Sequence, residues 1–176
     1  MKCYMLRKNK KGSLTDLAMI MSFLFTLAVL TLIAFKVSNS INVNIQSNAQ
    51  IATLDTGGNA RNAMNQINNL YPSVVDNSFL LITIGLGIVA LIFAMMVVIH
   101  PVFFVFYIIM LTIIIFIAGA FSNAYQTMMN DAALVDVASQ MVITNYVMTY
   151  LPFIIGIFGF LLAIVMYKTW QNNKMF

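Results

Sequence analysis

The side chains that could do acid–base, nucleophilic or metal chemistry are few: one His, one Cys, five Asp and no Glu among 176 residues. His100 is a candidate proton relay or metal ligand. It has no acid or second ligand near it in sequence, and it precedes Pro101, so it reads better as a polar turn residue at a membrane interface. Cys3 cannot form an internal disulfide and reads as a free thiol. A membrane-proximal cysteine can be lipidated, but nothing around Cys3 singles it out. No Asp, Glu, Lys or Arg lies deep inside any of the long apolar runs. Ion pumps and proton-coupled transporters normally need such groups. Thr26, Thr31, Thr83 and Thr112 are the main polar residues there, and a threonine hydroxyl can bond to its own helix backbone. There is no phosphate loop, metal-ligand cluster or nucleophile–base pair. The expectation is a protein that is not an enzyme and uses no cofactor and no metal.

The elements that carry these residues follow from composition. Hydrophobic residues make up 61% of the chain and charged residues 8%, against about 25% charged in a soluble globular chain. Such a surface suits hydrocarbon, so the predicted class is an all-α integral membrane protein. The net charge is +4, with Lys2, Arg7, Lys8, Lys10 and Lys11 crowded at the N-terminus. That cluster lacks an aromatic platform beyond Tyr4, so no specific nucleic-acid partner is expected and topology control explains it better.

Four apolar runs predict four spans. After a basic segment 1–16, the first is 17–36, where Ser13 and Asp16 have capping-box spacing and Lys36 can snorkel to the interface. Segment 37–78 is rich in Asn, Ser and Gln. Ala60, Ala63, Met64, Ile67 and Leu70 recur there at helical spacing, so the segment reads as a small helical ectodomain between the first and second spans. Gly57–Gly58 marks a break before that helix and Tyr71–Pro72 is expected to end it. Ile41, Ile45, Ala49 and Ala52 suggest that the first helix runs on past the bilayer.

Residues 79–121 are almost unbroken hydrocarbon. As one helix they would be roughly 64 Å long, about twice the hydrocarbon thickness. A tight turn at 100–101 therefore divides spans 79–99 and 102–121, because Pro101 disfavours helix in His100 and suits a first turn. A second outer segment, 122–150, carries Leu134, Ala138, Met141, Val142, Asn145 and Met148 on one helical face, with Asp131 as its cap. The fourth span is 151–167, flanked by Tyr150, Tyr167 and Trp170, and a basic tail 168–176 follows.

With both termini on the cytoplasmic or interior side, seven of nine basic residues lie inside, leaving Lys36 and Arg61 outside with Asp55, Asp76, Asp131 and Asp136. This satisfies the positive-inside rule. Small residues Gly85, Gly87, Ala90 and Ala94 in the second span, and Gly156, Gly159 and Ala163 in the fourth, permit close helix packing, within one bundle or against neighbours. The fourteen methionines read as adaptable packing. The two outer segments are expected on one face. Their apolar stripes either cover each other or dock a partner, with Asn65, Gln66, Asn69 and Gln140 as a polar rim.

Two resemblances bear on function. KNKKG followed by SLTDLAMIMSF is similar to a prepilin leader, but Asp16 stands where pilins place Glu one position further on, and pilins have one span. Taken with IHPVFF, FSNAY and YLPFIIGIFGFLLAIVMY, the chain resembles small multi-pass membrane proteins of tailless, membrane-containing viruses. That resemblance implies a structural, lipid-embedded virion subunit whose outer segments meet a capsid shell, with the bilayer, other copies and capsid proteins as partners. The alternatives are a channel- or holin-like pore, which would need a polar stripe through its spans, and an accessory subunit of a cellular membrane complex.

Overall fold

A computed structural model of the protein describes residues 14–95 and 101–172. His100 lies outside the described residues, as do Cys3 and Ser13. The described residues form seven helices: α1 (Leu14–Ser47), α2 (Ala49–Leu54), α3 (Asn59–Met95), α4 (Pro101–Met129), α5 (Val135–Ala138), α6 (Val142–Thr149) and α7 (Leu151–Asn172). Four of them, within α1, α3, α4 and α7, are long and apolar enough to cross a membrane.

The four long helices form a ring in which α1 packs on α3 and α4, and α7 packs on the same two from the other side. Lipid is as apolar as leucine, so burial alone does not hold such a ring together; close fit does. The centre is filled by Leu24, Ala28, Leu32, Ile114, Ala118 and Leu162. Glycine makes two of the close approaches. A Cβ on Gly159 would collide with Leu111, and a Cβ on Gly87 with the Phe158 ring. The span threonines settle their hydroxyls locally: Thr26 donates to Ser22 O, Thr31 to Ala28 O, Thr83 to Phe79 O and Thr112 to Ile108 O.

Three features depart from the sequence reading. First, α3 does not stop at Tyr71–Pro72 but runs through Pro72 to Met95. Proline removes one backbone N–H from a helix interior. Neighbouring contacts hold the helix there: Tyr71 stacks on Phe35 of α1 at 5.1 Å and donates to Thr31 O. Second, the outer segment expected as one helix capped by Asp131 is two short helices. Asp131 accepts from Ala133 N in a local turn, and the start of α6 is capped from elsewhere.

Third, of the two alternatives for the stripe at Ala60, Ile67 and Leu70, mutual cover by the two outer segments is not what the structure has. Ile67 and Leu70 are 57% and 60% exposed, while Asn68 and Asn42 are buried between the helices. The α1–α3 hairpin beyond the spans thus has asparagine inside and aliphatic residues outside. It turns at Gly58, whose φ of 66° is a conformation that favours glycine. From Lys36 to Ser47, α1 continues as helix for roughly 16 Å.

Candidate functional site: a polar collar at one end of the bundle

Among the described residues, a set of polar side chains that link separate elements outside the apolar runs gathers at one end. α1 brings Lys36, whose Nζ lies 3.2 Å from both carboxylate oxygens of Asp136 in α5. α3 brings Asp76, buried at 6% exposure. Its Oδ2 accepts from Ile143 N at 2.9 Å, and its Oδ1 accepts from Thr144 N at 3.0 Å and from the Thr144 hydroxyl at 2.7 Å. Met141, at the N-cap position of α6, has no side-chain acceptor. Asp76 therefore satisfies the orphan N–H groups of that helix start from another element. α4 contributes Ser122, which donates to Thr149 O at 2.8 Å, and Tyr125, which donates to Asn145 Oδ1 at 2.8 Å. Asn145 in turn donates to Ala138 O, joining α6 to α5.

Above the collar the hairpin is closed by amide and hydroxyl pairs. Asn68 donates to Asn39 at 3.1 Å, Asn42 to Asn65 at 3.4 Å, and Gln46 to the Arg61 carbonyl at 2.9 Å. At the tip, Asp55 accepts from Arg61 N and Ala60 N, capping the start of α3. The Arg61 backbone N–H holds the Asp55 carboxyl below its usual range, with Ala60 N and the Arg61 charge adding to it. The Lys36 ammonium does the same to Asp136.

The sequence-derived residues divide as follows. Gly87, Gly159 and Ala163 pack inside the bundle, Ala90 packs against its core, and Gly85 faces open space. The Gly156 position meets Ile115 and floors an apolar groove of about 470 Å³ between α4 and α7, with Phe153 and Phe160 beside it. Ala94 lies in α3, with its side chain outside the description; Pro101 is the first residue of α4. Asn65, Gln66 and Asn69 are exposed on the hairpin, whereas Gln140 is exposed on the collar, where it donates to Asp136 O. The two outer segments do share one end of the bundle. Their stripes do not cover each other: Ala138, Met141 and Met148 are fully buried against the bundle, while Ile67 and Leu70 face outward.

Sequence reasoning missed Asp76, Tyr125, Asn42 and Asn68 as structural linkers. The available signal was an uncapped start at Met141–Val142 in a chain with few acids. It also missed Tyr107, whose hydroxyl donates to the Gly159 carbonyl at 3.0 Å between α4 and α7. Among the described residues, no three His, Cys, Asp or Glu side chains cluster as a metal site would require. Asp55 and Asp76 accept from backbone N–H groups and Asp136 pairs with the Lys36 ammonium, so each of these charges ties one segment of the chain to another.

Comparison with protein families, with curated proteins and with solved structures gives no match. What the fold defines is a class: a membrane-integral, all-helical protein with four apolar helices of spanning length.

Proposed function

We propose that this chain is a non-enzymatic structural subunit embedded in lipid, which organises a membrane and presents its collar and hairpin to a protein layer. The setting that fits the viral resemblance is a virion membrane beneath a shell. One observation carries the reading. The extramembrane end is tied to all four long helices through Lys36–Asp136, Asp76–Thr144, Ser122–Thr149 and the direct step from Thr149 into α7. A platform fixed in this way transmits position from the bilayer to whatever sits on it.

A channel reading finds less support. Among the described residues, Thr83 is the one buried polar side chain at span depth besides Tyr107, and both donate to backbone carbonyls. The polar rim then supplies the shell contact through Asn65, Gln66, Asn69 and Gln140. The test is site-specific photo-cross-linking in the native membrane from positions 66, 69 and 140, with Lys168 at the opposite end as control. Cross-links from the rim to one protein species, weakened by Asn69→Lys with insertion unchanged, support the role. Equal capture from Lys168 and the rim, or assembly that tolerates several rim charges, overturns it.

A further inference from the structure

The outward face of α3 carries a seven-residue repeat that crosses the level of the collar. At and just beyond the collar, Ile67, Leu70 and Val74 are 57%, 60% and 58% exposed. The repeat continues into the span at Leu81, Ile84 and Ile88, also exposed. Positions 67, 74, 81 and 88 fall seven apart, and 70, 77 and 84 sit between them, the spacing of a coiled-coil seam. In the part outside the apolar run, the exposed neighbours off this seam include Asn62, Asn65, Gln66, Asn69, Ser73 and Ser78. Lipid does not explain aliphatic residues there, because lipid at that level would also bathe the amides. Water does not explain them either, since the seam is aliphatic where its flanks are polar. A helix that itself passes from water into lipid would cover the whole seam.

We infer that the seam of α3 from Ile67 to Ile88 pairs with the same seam of a second copy of this chain, as a parallel two-helix contact. Three observations select a second copy. The partner must run continuously across the interface, and α3 is such a helix, with 37 residues. Two copies inserted in the same sense are related by a twofold along the membrane normal, which sets each seam residue opposite itself. The seam's polar member is Asn77, an exposed side chain with both donor and acceptor, so it complements its own copy and fixes register. No charged side chain lies on the seam to oppose self-pairing. The shell-facing rim lies on other positions of α3, so this pairing does not depend on the role proposed above.

The test is disulfide trapping of the full chain, purified and reconstituted in bilayers, in a Cys3→Ser background. Single cysteines go at Ile67, Leu70, Val74 and Asn77 on the seam, and at Gln66, Asn69 and Ser73 off it. The seam positions are expected to give at least about tenfold more homodimer, because side chains beyond bridging distance do not close. Ile67→Asp, at an exposed site, should leave monomer fold intact and cut trapping at Val74→Cys by about tenfold, since an unpaired charge resists burial. Equal yields on and off the seam, no dimer, or trapping unaffected by Ile67→Asp would overturn the pairing. Asn69→Lys should not alter it, so failure of the shell contact is read separately.

Discussion

The Asp76 carboxylate and Thr144 meet twice: Oδ1 accepts the Thr144 backbone N–H at 3.0 Å and its hydroxyl at 2.7 Å. The two residues are 68 apart in sequence, yet the contact does the work of a local helix cap. It anchors α6, and through α6 the whole collar, to α3.

Removing that cap should loosen the outer end. Asp76→Ala strands the N–H groups of Ile143 and Thr144 and should cost about 2–3 kcal/mol, the range for unsatisfied buried donors and lost bonds to a charged acceptor. Asp76→Asn puts an amide donor where Ile143 N–H needs an acceptor, so it recovers only part of the loss. Thermal unfolding in detergent measures the change. A double-mutant cycle with Thr144→Val should show coupling, because the pair shares one interaction. Additive losses would mean that the two side chains act independently.

The Lys36–Asp136 pair predicts a pH response. Its folded carboxyl lies below the ordinary range, so the pair contributes stability above the unfolded carboxyl value near 3.9, and that stability is lost as pH falls through the lower folded value. Asp55 adds a response of the same sign. Melting curves from pH 6 to about pH 2 should therefore decline at the acid end. Lys36→Met should flatten the part due to Asp136, and salt should shrink it, since the Asp136 side chain is 54% exposed. An unchanged acid limb in Lys36→Met would show that the pair contributes nothing.

How much of this was legible beforehand depends on which solvent sets the rule. The spans were readable because hydrocarbon demands long apolar runs, and the threonine bonds at Thr26, Thr31, Thr83 and Thr112 because a hydroxyl in lipid has few other partners. The facing of the hairpin was not. An aliphatic stripe among asparagines reads as an inward stripe under the rules of water, yet Asn42 and Asn68 turned inward instead. The Asp76 cap was hidden for a different reason, because no local spacing announces a partner from another helix.

The inward asparagines make their own prediction. Asn68→Leu removes the donor to Asn39 and leaves that amide facing an apolar group, so it should destabilise the hairpin by about 1–3 kcal/mol. Replacing both, Asn39→Leu with Asn68→Leu, removes that stranded partner and should recover part of the loss, the Ser38 hydroxyl still lacking its acceptor on Asn68. Hydrogen exchange over residues 38–70 reports hairpin opening. If the double variant is as loose as the single, the amide pair is not what closes the hairpin.

Gly159 and Gly87 test the ring. Gly159→Val drives a branched side chain into Leu111, and Gly87→Val drives one into Phe158; the first should be worse, because Leu111 is approached at its Cγ as well as at its tips. Overpacking of this kind costs about 1–3 kcal/mol. Gly85→Val, on an open face, should leave monomer stability unchanged. Unfolding of the reconstituted protein ranks the three variants, and equal effects at positions 85 and 159 would contradict the packing described.

Pro72 closes the case for a continuous α3. Proline inside a helix costs about 3 kcal/mol relative to alanine, through a missing N–H and a clash with the preceding turn. The helix nonetheless continues, held on one side by the Phe35–Tyr71 stack and on the other by the bonds that Asp76 accepts from α6. Pro72→Ala should therefore restore a backbone bond to Asn68 and raise stability, offset in part by lost packing, since Pro72 is buried. A break at Tyr71–Pro72 would give the opposite sign, because removing a helix stop would force the chain into a new path and loosen the collar. Unfolding temperature of Pro72→Ala decides between them, with Tyr71→Ala as the control that should fall in either case, through loss of the Phe35 stack.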